Sequence, residues 1–268
     1  MHPTSHHPSI PPAHVNAEGQ LAGFVHSFDT GAAVDGPGIR FTLFVSGCQF
    51  HCLYCHNPDT WHLHNGQLMT VDEVLKELKK YAHFLQFSGG LTISGGEPLM
   101  QADFVGEIFR RAKQELKLHT ALDTQGFLAA HLPDDWFDSV DLVLLDIKQM
   151  NPEKHKTLTG QDLQPSLDFA LRLSTMKKKM WIRYVLVPGY TDDPADIDAL
   201  ATFVDQLSGV ERIDVLPFHK MGESKWLELN MDYRLSDVQP PAQQSIDWVT
   251  HKLTLPINSS ITRCVKQS

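Results

Sequence analysis

The chain has 268 residues, of which 42% are hydrophobic and 21% charged, an ordinary globular composition with apolar material for one sizeable core. Lys and Arg number 23 against 32 Asp and Glu, and a net charge of −9 argues against tracking a nucleic-acid backbone. Three of only four cysteines (Cys48, Cys52 and Cys55) share one short stretch, which excludes a disulfide scaffold and reads as a metal site in a reducing compartment.

Residues 1–20, rich in Pro and His, carry no basic and apolar signal-peptide pattern and are expected to form a disordered tail ahead of one domain at 21–268. His2, His6, His7 and His14 there read as solvated rather than as metal ligands. No apolar run is long enough for a membrane span, and a cytoplasmic location is expected.

Ile39–Val45, β-branched and aromatic, predicts a strand. Thr70–Glu73 reads as a capping box opening a helix whose inner face carries Val71, Val74, Leu75, Leu78 and Tyr81. A second strand at Leu91–Ser94 precedes a helix with Phe104, Val105, Ile108, Phe109 and Ala112 inward. A third strand is expected at Leu118–Leu122, with a helix within 126–138, and a fourth at Leu142–Ile147, apolar as a parallel strand buried on both faces should be. Ser166–Met176 is its helix; Met180–Val187 is a fifth strand with a helix in Pro194–Leu207; Arg212–Leu216 is a sixth, with a last helix near Pro241–Leu253. Six strand–helix units imply parallel crossovers but fall short of the eight that close a barrel. The expected fold is therefore α/β, a single-domain partial (β/α)6 barrel, with its site at the C-terminal strand ends.

Cys48, Cys52 and Cys55 follow the first strand directly. Thiolates take soft metals, and a [4Fe–4S] cluster normally takes four cysteines, so three leave one iron open. Structural zinc is the alternative, completed by His51 or His56, but no second ligand pair exists. Cys264, in an expected final strand, reads as buried and inert.

The spacing C-x3-C-x2-C, with Tyr54 before the last cysteine, resembles the radical S-adenosylmethionine (SAM) superfamily. Asp35-Gly36-Pro37-Gly38-Ile39-Arg40, the run Gly47 to Asn57, Trp181–Tyr184 and Leu216–His219 extend the resemblance to the activating enzymes of glycyl-radical enzymes, from about residue 23 to the last helix. The resemblance implies a partial barrel of the radical SAM type. It also implies three cysteine ligands to a [4Fe–4S] cluster and SAM on the open iron. One-electron cleavage then gives a 5′-deoxyadenosyl radical that takes a hydrogen from a glycine of a partner protein. The implied partner is pyruvate formate-lyase, or a different glycyl-radical enzyme, and the implied reductant is a flavodoxin-like electron donor acting on a monomer.

By the same resemblance Gly96 and Glu97 engage the methionyl amino end, and Lys148, within Asp146-Ile147-Lys148, meets the SAM carboxylate with Asp146 in support. His219 contacts the adenosine part and Tyr54 and His56 the adenine; Asp123, Thr124 and a carbonyl near Leu144 help hold a monovalent cation. Arg183 faces either the pocket or a core carboxylate. Asp35–Arg40 and Lys220–Trp226 are expected to shape the groove for the partner's loop. The competing class is an iron–sulfur electron carrier or zinc-stabilised binding module, which would not need polar residues at four strand ends.

Overall fold

The structure, a computed structural model, describes residues 9–253 and the backbone of 262–265. The chain opens with β1 (His14–Val15), β2 (Leu21–Ala32) and β3 (Ile39–Val45), antiparallel in sequence, and β4 (Gln67–Thr70) pairs with β2. From β3 onward the sheet is parallel. Crossing by α1 (Val71–Lys79) and α2 (Ala82–Ser88), the chain enters β5 (Gly89–Gly95); α3 (Ala102–Leu116) leads to β6 (Thr120–Thr124). β7 (Leu142–Asp146) is followed by α4 (Pro152–Thr159) and α5 (Gln164–Thr175), then β8 (Lys179–Leu186), α6 (Pro194–Asp205) and β9 (Val210–Pro217). α7 (Glu223–Glu228) and α8 (Gln243–Lys252) precede β10 (Thr262–Val265), which lies parallel on β9. The order β1-β2-β3-β5-β6-β7-β8-β9-β10 is an open path, so the barrel is partial, as expected.

Local chemistry accounts for most of these elements. At α1 the Thr70 hydroxyl accepts from the Glu73 amide at 3.2 Å while the Glu73 carboxylate accepts from the Thr70 amide at 2.7 Å, a reciprocal cap. Val71, Val74, Leu75 and Leu78 are buried beneath it, but Tyr81 is 38% exposed, because α1 ends at Lys79 and a new helix starts at Ala82. The five inward residues of α3 are all buried. α4 begins on the Asn151 side chain, which accepts from two amides, with Pro152 in the first turn where its missing N–H costs nothing.

Several elements depart from the sequence reading. The helix expected within 126–138 is two short 3₁₀ segments, Ala129–His131 and Asp134–Ser139, divided by Pro133, which cannot donate to a helical ladder. The strand β2, and the helices α4 and α7, went unanticipated. Of the tail, residues 1–8 lie outside the described residues, whereas His14–Val15 pair with Leu21–Ala22. The Cys264 side chain, too, lies outside what is described.

The main core fills the space between sheet and helices. A second, small cluster of Ala121, Leu142, Leu144 and Trp181 lies on the opposite sheet face, inside the barrel, with the Arg212 guanidinium 4.5 Å above the Trp181 ring. Side chains two apart on a strand share a face. Continuing from that apolar layer along β6, β7 and β8 therefore brings Asp123, Asp146 and Arg183 to the same interior, one layer higher.

Candidate active site

Above that layer, at the C-terminal strand ends, opens a cavity of about 400 Å³. Cys48, Cys52 and Cys55 all line it and none is in a disulfide. Their loop is held by its backbone: the Gly47 and Cys48 amides donate to the Thr60 and Trp61 carbonyls, and the His51 and Leu53 amides to the Thr159 and Leu158 carbonyls at the end of α4. Gly47, at φ +96°, makes the turn off β3.

Burial pushes up all three thiols, Cys52 to about 12; Cys48 is pushed further by Cys52, Glu97 and Cys55. Such a triad becomes three thiolates only against a strong local positive charge, which a coordinated metal supplies. Among the described residues no three His, Cys, Asp or Glu are placed to hold a metal ion.

Opposite the sulfurs stands a buried ionic network. Arg183 Nε lies 2.9 Å from Asp146 Oδ1 and its Nη2 3.1 Å from Asp123 Oδ1; Lys148 Nζ lies 2.8 Å from Asp146 Oδ2; the Ser94 hydroxyl donates to Asp123 Oδ2 at 2.7 Å. Asp146 and Arg183 are direct register partners on β7 and β8. Burial acts to raise Asp146, but the Arg183 and Lys148 charges override it and hold that carboxyl well below the usual range. Asp123, with a share of one guanidinium and Asp146 nearby, is pushed up by burial to about 6. Burial works against the Lys148 ammonium, yet Asp146, Tyr54 and Cys52 hold it charged above its ordinary range.

Tyr54, His56, Gly96, Thr124 and His219 also line the cavity. Lys148 sits 5.7 Å over the Tyr54 ring, whose buried hydroxyl has no protein partner. The His56 and His219 rings stack at 4.2 Å, and His219 Nδ1 is another buried polar atom without a partner. Both histidines are lowered by burial, so the cavity wall they form is neutral near pH 7.

The remaining expected residues have these surroundings in the structure. Glu97 turns away from the cavity: Oε1 accepts from the Thr124 hydroxyl at 2.6 Å and the Leu99 amide at 3.0 Å, Oε2 from the Gln125 amide at 3.1 Å. Through these bonds it ties the end of β5 to the end of β6. Gly96 brings its backbone against the chain itself, since a Cβ there would lie 2.2 Å from the Gly47 carbonyl oxygen. Ile147 is buried in the main core and Leu144 in the interior cluster. Asp123 and Thr124, expected at a cation, already have protein partners in Arg183, Ser94 and Glu97. Val34 and Asp35 reach the cavity, but Arg40 is fully buried on Thr92, His119 and the Leu91 carbonyl. The segment Lys220–Trp226 packs behind the cysteine loop, with Trp226 donating to the Cys55 carbonyl at 2.8 Å and Lys225 on Asn57 and Asp59. Arg40 and Trp226 therefore do not shape a docking groove. Sequence reading missed Ser94 and Gln125, although both extend the strand-end runs it used.

An open parallel barrel with a three-cysteine loop after its first parallel strand and paired charges on the next strands defines a class of sulfur-ligated cofactor enzymes. Residues 42–201 match the family model described as Radical SAM superfamily. Pyruvate formate-lyase 1-activating enzyme of Escherichia coli (strain K12) is 45% identical over 232 residues, covering 85% of this chain and 94% of that one. Pyruvate formate-lyase-activating enzyme of Staphylococcus epidermidis is 42% identical over 234 residues, covering 84% and 93%. The structure of Streptococcus suis SuiB bound to S-adenosylmethionine shares the fold with a TM-score of 0.64 at 14% identity, over 87% of this chain and 51% of that one. The chain belongs to the radical SAM superfamily, and within it to the group of the pyruvate formate-lyase-activating enzymes. That family implies a [4Fe–4S] cluster and S-adenosylmethionine as cofactors. Among the described residues no helix is long and apolar enough to cross a membrane.

Proposed function

We propose that this chain activates pyruvate formate-lyase by installing its glycyl radical. The observation that carries the reading is the cavity itself, where three free cysteines face a buried set of two carboxylates and two cations. Cys48, Cys52 and Cys55 would hold three irons of the cluster and leave the fourth to SAM. When bound, cluster and SAM supply the one-electron cleavage whose radical takes a hydrogen atom from a glycine Cα of the partner.

The chain's own residues bind and orient. Lys148 offers its ammonium to the SAM carboxylate, and Asp146, doubly paired, supports it and accepts from the amino group. Gly96 brings main chain to the methionyl end. Tyr54, His56 and the His219 Nδ1 offer ring faces and a free polar atom to the adenosine. A monovalent cation at Asp123, Thr124 and the Leu144 carbonyl would have to compete with Arg183 for Asp123. The proposed setting is cytoplasmic, with a flavodoxin-like donor and a monomeric chain.

Anaerobic reconstitution with iron and sulfide, then reductant, SAM and pyruvate formate-lyase, should give a glycyl EPR signal on the lyase and stoichiometric 5′-deoxyadenosine. Reduction of the cluster without SAM cleavage would mark an electron carrier instead. A signal only on another glycyl-radical enzyme would reassign the partner.

A further inference from the structure

The turn that carries the third cysteine is held by a helix 171 residues further along the chain. Trp226 on α7, 4% exposed, donates its indole N–H to the Cys55 carbonyl at 2.8 Å. Its ring is fixed by Trp61, edge-on at 5.1 Å and 88°, and by Tyr233 at 5.5 Å. Lys225 beside it reaches Asn57 Oδ1 at 2.8 Å and Asp59 Oδ2 at 3.1 Å, and His26 of β2 meets the same Asp59 oxygen at 2.8 Å. Gly222, just ahead of α7, lies so close to the turn that a Cβ there would stand 2.6 Å from the His56 Cα and 3.1 Å from the Cys55 carbonyl oxygen. His56 in turn donates from Nε2 to the His219 carbonyl at 3.2 Å, and the two rings stack. One turn, Cys55-His56, thus presents a sulfur and a ring to the same cavity, and Trp226 grips it at the peptide between them.

We propose that Trp226 is a positioning residue for SAM: by holding the Cys55–His56 peptide it keeps the cluster ligand and the histidine wall in register, so that both ends of SAM are met at once. This rests on the reading of the cavity as the site of cluster and SAM. Trp226 is not part of the cavity lining and acts through Cys55 and His56. A buried carbonyl that loses its donor is left unsatisfied, and its peptide relaxes in the free protein. Binding must then draw the turn back, and affinity falls in proportion to the fraction of molecules in which the turn is already in place. Iron still binds, because the Cys55 amide keeps the Cys52 carbonyl at 3.0 Å and the rest of the loop keeps its bonds to Thr60, Trp61, Leu158 and Thr159.

The test is equilibrium dialysis of labelled SAM against reconstituted protein with its cluster oxidised, a state with no electron to cleave SAM, with iron and sulfide content measured on each sample. Trp226→Phe keeps an aromatic ring in place and loses the N–H, and its dissociation constant for SAM should rise about tenfold, equivalent to about 1.4 kcal/mol. Trp136→Phe removes a remote indole bond of the same kind, to the Ala102 carbonyl at 3.1 Å, and should match the parent. An unchanged constant in Trp226→Phe at full iron content overturns the proposal. So does an equal rise in Trp136→Phe, which would mark a general loss of stability. If Trp226→Phe loses iron, 3-benzothienylalanine at position 226, which exchanges the N–H for sulfur in the same bicycle, carries the same two readings. A parent that binds neither cluster nor SAM would instead refute the reading of the cavity itself.

Discussion

Replacing Arg183 with methionine should destabilise the protein strongly at alkaline pH and far less in mild acid. The guanidinium is 14% exposed and lies between Asp123, 7% exposed, and Asp146, 13% exposed. Methionine fills much the same volume but leaves Asp123 with only the Ser94 hydroxyl, while Asp146 keeps Lys148. Removing one partner of a buried ion pair costs about 3–5 kcal/mol, most of it the charge left uncompensated. Asp123 is already pushed up to about 6, above its unfolded value of 3.8, and losing Arg183 raises it further. A carboxyl raised on folding contributes its full stability below the unfolded value and loses it as pH climbs through the folded value. The cost of Arg183→Met should thus be complete near about pH 8.5 and fall below half near about pH 5.5, where Asp123 is protonated in both proteins. Urea unfolding of reconstituted protein at the two pH values, followed by tryptophan fluorescence, measures it. An equal cost at both values would refute the assignment of the penalty to Asp123, and no cost at either would refute the ion network.

Glu97 is pushed up by burial to about 7 against donors from Thr124, Leu99 and Gln125, so its contribution is complete below about 4.5 and lost as pH rises through about 7. At 1.36 kcal/mol per pH unit, Glu97→Gln should remove about 3 kcal/mol of decline between those limits, and thermal melts showing parallel pH profiles for parent and variant would contradict this. Arg40→Ala should lower stability by about 3 kcal/mol, since it empties a fully buried site and removes the guanidinium's hydrogen bonds to the Thr92 hydroxyl and the Leu91 carbonyl, although that hydroxyl keeps its bond to the Asp35 carbonyl. Calorimetry finding the variant as stable as the parent would show that Arg40 is not the core group the structure makes it.

What was legible in the sequence followed period and spacing. The cysteine loop could be placed because Ile39–Val45 is unmistakably a strand and the thiols follow it at once. Asp123, Asp146 and Lys148 could be placed because strand ends in such sheets converge. Side-chain direction after a glycine turn was not legible: GGEP announces a carboxylate, but only its hydrogen bond from the Thr124 hydroxyl shows where Glu97 turns. Arg183 was ambiguous for a related reason. A lone charge amid a strand says that it is paired, whereas its partners sit on β6 and β7, more than thirty residues upstream. The strand β2 carries two glycines and alternating polar residues over Leu21–Ala32, and it owes its twelve residues to pairing with β3 on one side and β4 on the other. The bond from Trp226 to the Cys55 carbonyl was invisible because it spans 171 residues of chain.

The charges of the cavity explain why a zwitterion can enter a site that is already ionically satisfied. A carboxylate arriving at Lys148 would not build an ion pair from two solvated charges; it would take over a cation already stripped of water and held above its ordinary range by Asp146. The usual objection to buried ion pairs, the desolvation of both members, then applies only to the incoming group. What makes the exchange affordable for the protein is Arg183. Were Lys148 to turn towards the ligand, Asp146 would keep the guanidinium at 2.9 Å and have an oxygen to offer the ligand's ammonium. In the proposed function the two cations would divide the labour by position: Lys148, two residues past Asp146, would meet the ligand, and Arg183, on β8 beside Asp146, would keep two carboxylates from being left alone when it does.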